Sequence, residues 1–396
     1  MNHRHPLFCI VPSYMLESIA ENGTPAQQAY AMHNLAYSVA VREQRATVSE
    51  ITEMETETAV SAVSAIPPTK QRTVYTANEQ STLPGQRLRG EGDAPTGDAA
   101  IDEAYDGAGA TYDLFQEIYG RSSVDGQGMA LNSTVHYREG YDNAFWNGRQ
   151  MVYGDGDEDL PEEQRLFSRF TIAIDIIGHE LTHGVTQFSA GLLYKDQAGA
   201  LNEAISDVFG SLVKQRVLGE TAVDADWLIG AGIFTANVNA IALRSLKAPG
   251  TAYDDPVVGK DRQPAHMDQY VHTDSDNGGV HINSGIPNHA FYLMAVEMGG
   301  FAWEKAGRIW YTALKSKLRA TSVFQDAADA THQVAADLYG VDSPEQQAVH
   351  NGWTAVGITP APITPPPPPA PPAPPTPPPN TATGCRPSLK SLLFFM

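Results

Sequence analysis

Cysteine is nearly missing from this chain: there are two in 396 residues, Cys9 and Cys385, one near each end. No disulfide can staple the middle, and that region offers neither a thiolate zinc site nor a cysteine nucleophile. Long hydrophobic runs are also missing. Nothing approaches the roughly 20 apolar residues of a membrane-spanning helix, and the apolar run near the N-terminus, Pro6 to Val11, has only six residues. A secretory signal needs about 7–15 with a small-residue cleavage site, so no ordinary signal peptide is visible. Positive charge is scarce, with 26 Lys plus Arg against 46 Asp plus Glu and a formal charge of -20. Nucleic acid and anionic membrane both demand a basic surface, so neither is an expected partner. The 42% apolar and 18% charged residues match a soluble globular protein long enough for two lobes with their own cores.

Punctuation along the chain suggests its organisation. Residues 1–45 read as a helical, self-contained piece, with "SYMLESIAENG" closing on a capping Gly. A stretch rich in Thr, Ser, Glu and Ala follows and ends at Pro67-Pro68, as an exposed connector would. From Arg72 to about Tyr153, short alternating runs such as "STVHYRE" between Gly, Asp and Asn predict strands and turns. After Gln164 the period becomes helical: Leu201, Ala204, Ile205, Val208, Phe209, Leu212 and Val213 form one stripe. Ser343, Pro344 and Gln346 have the order of a capping box. The run "TPAPITPPPPPAPPAPPTPPPN" is a polyproline II spacer leading to a short disordered end.

Chemistry concentrates in "DIIGHELTHGVTQ". His179 and His183 lie one helical turn apart and share a face, a spacing that lets two nitrogens grip one metal ion with Glu180 beside them. The competing reading is a hydrogen-bonded pair of core histidines. After nineteen intervening residues beyond His183 comes Glu203, with Asp207 four residues further on the same helical face. One carboxylate can complete a ligand set while the other accepts the outer N–H of a ligating imidazole. Alone, Asp207 would read as a solvated charge on an amphipathic helix, and Glu203 equally well as such a charge or as a ligand.

At this point the chain resembles the thermolysin-like zinc metalloproteases from about Arg72 to Ile358. The blocks that carry the likeness are "NAFWNGRQMVYGDGD", "HELTHGVTQ", "GLLYKDQAGALNEAISDVFG", "LRSL" and "DNGGVHINSGIPNHAFYL". The short "VPSYMLESIAENG" piece is similar to the propeptides of its protealysin-like branch. The resemblance implies an α+β fold of two lobes, mainly β then α-helical, with one catalytic zinc in the cleft between them. It implies His179, His183 and Glu203 as zinc ligands, Glu180 as general base, and Asp207 as partner of the first ligand histidine. Tyr194 and His281 would stabilise the oxyanion, with Asp276 orienting His281. Asn143 and Ala144 would hold the substrate main chain, Arg244 the carbonyl after the scissile bond, and Leu243, with Ile229, a pocket wall for large apolar side chains.

The same resemblance implies a zymogen with protein or peptide substrates and its own propeptide as partner, monomeric and exported; a cytoplasmic location stays open without a visible signal. The expected divisions are a propeptide-like 1–50, a connector 51–71 cut between Val48 and Pro67, lobes 72–190 and 191–358, and a tail 359–396. One departure stands out. Asp175 and Asp226 match two positions of thermolysin's calcium pair, but Lys214, Leu228 and Ala231 stand where carboxylates belong. Calcium wants six to eight oxygens, so the double site is expected to be lost, with Lys214 pairing with Asp175 or Asp226. A separate calcium site in "YGDGDED" is left open against plain solvated turns. Aminopeptidases with a related site resemble a pattern with eighteen residues before the third ligand and a "GxMEN" element, which this chain lacks. A matrix-type protease would need a histidine where Ser189 stands. A binding protein that has lost turnover should lack the base, a ligand or an oxyanion donor, and all are present.

Overall fold

β-Branched and aromatic residues bounded by turn formers pair as the alternation predicts. The computed structural model of the chain describes residues 8–37 and 69–363. Its main sheet has six strands in the order β1-β5-β6-β4-β2-β3. They are β1 Phe8–Cys9, β2 Arg72–Thr76, β3 Gln86–Gly90, β4 Leu131–Val135, β5 Ala144–Trp146 and β6 Met151–Tyr153. β2, β4 and β6 run parallel, while β3, β5 and β1 are antiparallel to their neighbours. Helix α3, Ala99–Asp113, packs on this sheet, and its N-cap Asp98 accepts from the amides of Ala100 and Ile101.

The second half is helical: α4 Ile174–Gln187, α5 Asp196–Leu218, α6 Asp276–Asn283, α7 Gly285–Met298, α8 Ala306–Ser316, α9 Phe324–Tyr339 and α10 Pro344–Ala355. The fold is thus the two-lobed α+β arrangement. Helix α10 starts at Ser343, whose Oγ accepts from the Gln346 amide at 3.2 Å. The return bond from Gln346 goes to the amide of Asp342 instead of Ser343, one residue earlier than a full capping box requires.

α4 and α5 are buried on nearly every side and cross at two glycines. A Cβ on Gly210 would sit 2.4 Å from the Asp175 carbonyl oxygen and 3.0 Å from the His179 nitrogen, and one on Gly178 would sit 3.0 Å from the Gly210 Cα. The missing side chains let the two backbones touch. Two turns before Gly210 along α5 lies Glu203, which this contact holds against the histidines of α4.

Residues 8–37 do not form the self-contained piece expected of residues 1–45. Helix α1, Ser13–Asn22, buries Tyr14, Met15, Leu16 and Ile19. Such an apolar face needs a partner, and the segment finds it on the rest of the protein. β1 adds to the sheet at β5, and Ser18 Oγ donates to the Val257 carbonyl at 2.9 Å. A helix α2 over residues 25–37 follows; Gln27 donates to the Gln164 carbonyl at 2.6 Å, Tyr30 to Asp159 at 2.6 Å and Asn34 to the Gly140 carbonyl at 3.1 Å.

The "YGDGDED" acids are not plain solvated turns. Asp155 binds His136 at 2.7 Å, Asp157 is buried and accepts from the amides of Leu166 and Phe167 at 2.7 and 3.0 Å, and Asp159 holds Tyr30. Most of the connector, including the expected cleavage region from Val48 to Pro67, lies outside the described residues, as does the tail from residue 364.

Replacing Gly210 with Ala forces a methyl into backbone. Overpacking of this kind costs about 1–3 kcal/mol, so urea unfolding should shift to a lower midpoint. An unchanged midpoint would show that the crossing has room to spare.

Candidate active site

The helix crossing delivers three acceptor atoms to one point. His179 Nε2 and His183 Nε2 are 3.0 Å apart, and Glu203 oxygens lie 3.5 Å from the first and 3.4 Å from the second. All three residues are fully buried. The outer nitrogens are already engaged: His179 Nδ1 donates to Asp207 at 2.7 Å and His183 Nδ1 to Asn202 at 2.9 Å. Each proton therefore sits on Nδ1, and both Nε2 atoms present lone pairs to each other and to a carboxylate. Burial, and then the neighbouring His179, push the His183 pKa well below its ordinary value, so this ring is neutral. Glu203 Oε2 is buried and accepts no hydrogen bond.

Three converging acceptors without a shared proton repel one another unless a cation lies among them. Among the described residues, this is the one group of at least three His, Cys, Asp or Glu residues with ligand atoms within 4.8 Å of one another. Zinc bonds to nitrogen and oxygen run about 2.0–2.2 Å, which places tetrahedral neighbours a little over 3 Å apart. The donor set fits zinc.

Asp207 holds more than the His179 imidazole. It also accepts from Arg244 Nε and Nη2, both at 2.8 Å, and from Asn288 at 2.9 Å. Burial alone would raise its pKa, but the Arg244 guanidinium and the His179 bond hold it below the ordinary carboxylate range. Glu180, next to the ligands, is also buried, and its Oε2 accepts from the Trp146 amide of β5 at 3.0 Å.

On the other wall, Tyr194 donates to Glu203 Oε1 and lies 3.1 Å from His281 Nε2. Burial and then the Glu203 charge raise its pKa far above 10, so the hydroxyl keeps its proton. His281 is set by an unusual turn: the residues opening α6, Asp276 to Gly279, all have positive φ, from 50° to 87°. This curl brings the Asp276 carboxylate back to the His281 amide at 2.8 Å and its Nδ1 at 2.6 Å. A Cβ at Gly278 would meet Asp196 Oδ1 at 2.1 Å, so glycine is required there by space as well as by φ. Burial would lower the His281 pKa, but Asp276 and Glu203 overcome it and raise it to about 9. At neutral pH His281 is a cation that donates from both nitrogens.

Three of the substrate-binding candidates, Asn143, Ala144 and Arg244, hold one strand, and that strand is the chain's own N-terminal segment. Cys9 pairs with Phe145, the Ile10 amide donates to the Ala144 carbonyl at 3.3 Å, and the Val11 amide to Asn143 Oδ1 at 3.1 Å. Arg244 Nη1 donates to the Ile10 carbonyl at 3.0 Å, and His281 Nε2 to the Cys9 carbonyl at 2.9 Å. Leu243 is buried, with its amide on the Ile229 carbonyl at 2.9 Å. At the positions matched to the calcium pair, Lys214 Nζ lies 2.8 Å from Asp175, 2.9 Å from Asp226 and 2.6 Å from the Leu228 carbonyl. Burial would lower the Lys214 pKa, yet the two carboxylates raise it and keep the ammonium charged.

Asn202, Ser206, whose Oγ lies 3.0 Å from His183 Nδ1, Asn288 and the Trp146 amide were not read from the sequence. Asn202 and Ser206 lie within or beside "NEAISD", where small polar side chains look like the solvent side of an amphipathic helix. The backbone amide carries no sequence signal.

Family models described as "Thermolysin metallopeptidase, catalytic domain" and "Thermolysin metallopeptidase, alpha-helical domain" match residues 24–187 and 190–358. The chain is 47% identical over 354 residues to an extracellular metalloprotease of Pectobacterium carotovorum, covering 89% of this chain and 97% of that protein. It is 41% identical over 352 residues to protease PrtS of a Photorhabdus strain, at 88% and 91% coverage. A thermolysin of Alicyclobacillus acidocaldarius is 42% identical over 294 residues, 72% of this chain and 50% of that one. The solved precursor of protealysin, a metalloproteinase from Serratia proteamaculans, matches with a TM-score of 0.77 at 47% identity, covering 89% and 100% of the two chains.

Truncating Lys214 to Ala leaves Asp175 buried without its cation. Stranding a buried carboxylate costs about 3–5 kcal/mol, so thermal unfolding should fall by many degrees. A loss below about 0.5 kcal/mol, the size of an exposed pair, would show that Lys214 contributes no more than a surface charge.

Proposed function

Since the chain belongs to the thermolysin family of metallopeptidases, we propose that His179, His183 and Glu203 hold its catalytic zinc and that Glu180 is the base of peptide hydrolysis. The protein is a zinc-dependent metalloendopeptidase made as a zymogen. The observation that carries the ligand assignment is the pair of Nε2 lone pairs facing each other at 3.0 Å beside a buried carboxylate.

Zinc in such a site acts as a Lewis acid and brings the pKa of a coordinated water from 15.7 to about 7. The chain's own groups supply the rest. Glu180, held by the Trp146 amide, takes a proton and later delivers it to the leaving amine. His281 and Tyr194 converge on the carbonyl position that Cys9 fills in this structure, where they donate to the oxygen as it gains charge. Asn143 and Ala144 pair with the substrate backbone as an added strand, and Arg244 fixes the next carbonyl. Leu243 and Ile229 suit a large apolar side chain directly after the scissile bond.

Residues 1–50 serve as the propeptide. Its Cys9–Ile10 bond lies where a scissile bond would, which supports competitive blockage until the connector 51–71 is cut. Lobes 72–190 and 191–358 form the mature enzyme, with 359–396 as a spacer and tail. Lys214 takes the place of the calcium pair, so no calcium is held there, and the enzyme acts as a monomer. Two lines bear on location: one relative is named an extracellular metalloprotease, and no helix among the described residues is long and apolar enough to cross a membrane. Action outside the cell follows from the first.

The test compares zinc content and casein cleavage of the matured enzyme with its Glu180→Ala variant. Zinc should be retained and cleavage should fall by about 10²-fold or more. Unchanged cleavage would overturn the assigned base.

A further inference from the structure

Past the three residues in the cleft, the N-terminal segment does not run on straight. Pro12 is extended, with φ -66° and ψ 147°, and Ser13 opens α1. The Pro12 carbonyl accepts from the amides of Met15 and Leu16 at 3.1 and 3.4 Å. A proline has a fixed φ and no amide proton to leave unpaired, so it suits the start of such a turn. The turn carries Tyr14 back against the protein, where it is buried.

Tyr14 fills a slot outside the cleft positions described above. The Arg262 guanidinium covers its ring, 4.8 Å from the centroid. Its hydroxyl faces that of Tyr253, which is itself buried. Burial, and then Tyr253, push the Tyr14 pKa well above 10, so the phenol is neutral. Asp276 and Asp261 also bear on this phenol, and Asp276 is the carboxylate that sets His281. The slot thus adjoins the catalytic wall. Tyr253 and Asp261 close the base of a short hairpin, with the Asp261 amide on the Tyr253 carbonyl at 3.0 Å. Ser18, one turn after Tyr14, reaches the Val257 carbonyl at the tip of the same hairpin. The catalytic steps above use neither Tyr253 nor Arg262.

The contacts in the cleft fix which position the slot serves. His281 receives the Cys9 carbonyl and Arg244 the Ile10 carbonyl. Cys9 therefore stands just before the position of a scissile bond and Ile10 just after it. Counting on, Pro12 is the third residue after the bond and Tyr14 the fifth.

We propose that Tyr253 and Arg262 form a distal subsite of the mature enzyme, taking an aromatic side chain five residues after the scissile bond in substrates that turn at a proline in the third. The proposal rests on the endopeptidase reading and on the placement of residues 9–11. Tyr14 occupies the subsite in the zymogen. Departure of the segment leaves the exposed Arg262 and the Tyr253 phenol facing an opening the size of one ring. An arriving aromatic ring gains burial and the guanidinium over its face, and a tyrosine also gains a hydroxyl partner. An alanine gains none of these. The slot is remote from the reacting atoms, so the gain falls on KM more than on kcat.

The experiment uses matured enzyme and internally quenched peptides with Ala-Leu at the bond, followed by Val-Pro-Ser-X-Met-Leu, where X is Tyr, Phe or Ala. The kcat/KM for Tyr should exceed that for Ala by about tenfold, mainly through KM, with Phe between them. In Arg262→Ala the Tyr-to-Ala ratio should fall about threefold while the Ala peptide is cut as before. Equal kcat/KM for the three peptides in the unmodified enzyme overturns the subsite, leaves the endopeptidase reading intact and needs no variant to fold. If Tyr14→Ala also weakens inhibition by the separate segment 1–50, the slot is an anchor for that segment alone. A ratio unchanged in Arg262→Ala overturns the proposal as well. Failure to cleave any peptide, or cleavage that survives Glu180→Ala, would remove the reading on which it stands.

Discussion

Two imidazole nitrogens facing each other across 3.0 Å, both with lone pairs inward, are the constraint on which the structure turns. That arrangement is unfavourable by itself. It is held by the partners behind the rings, Asp207 and Asn202 on α5, which fix the protons on the far side. α5 can reach the rings because Gly178 and Gly210 let it touch α4. Three converging acceptors of this kind fit a divalent cation between them.

The edge of β5 is the second constraint, and it serves two occupants. Without β1, this edge, with Asn143 at one end and the Trp146 amide donating to the Glu180 carboxylate at the other, invites an extended chain. In this structure residues 9–11 take it, with their carbonyls on His281 and Arg244. On the proposed reading, the bonds a substrate would use are the bonds that hold residues 9–11. Arg244 joins the two constraints, since the same guanidinium meets the occupant's carbonyl and pairs with the Asp207 that braces His179. Beyond the cleft the segment crosses both lobes, with Ser18 on Val257 and Tyr30 on Asp159, so its grip does not depend on the cleft alone.

Much of this was legible before any coordinates. The four-residue spacing put His179 and His183 on one face, and helical periodicity located α5 with Glu203 and Asp207. The remaining site residues were legible only through the family resemblance, since nothing local in "GLLYKD" or "DNGG" announces an oxyanion donor or its support. What stayed hidden is what long-range contact decides. The apolar stripe of α1 was visible, but its partner was not, and the Val11–Asn143 bond spans 132 residues of sequence. Asn202 looked like a surface amide because α5 was read as amphipathic, whereas it is buried, and Asn288, buried as well, carries no local signal in its block. Lys214 was visible as a charge in the wrong place; that it meets both carboxylates and a backbone carbonyl is a fact of three dimensions.

The most direct test of the metal centre is zinc K-edge absorption on the matured enzyme. The account predicts nitrogen and oxygen scatterers alone at about 2.0–2.2 Å, with the outer-shell signature of two imidazoles. It also predicts loss of the zinc in a His183→Ala variant that still folds. A sulfur scatterer, a single imidazole, or full zinc content in that variant would contradict it.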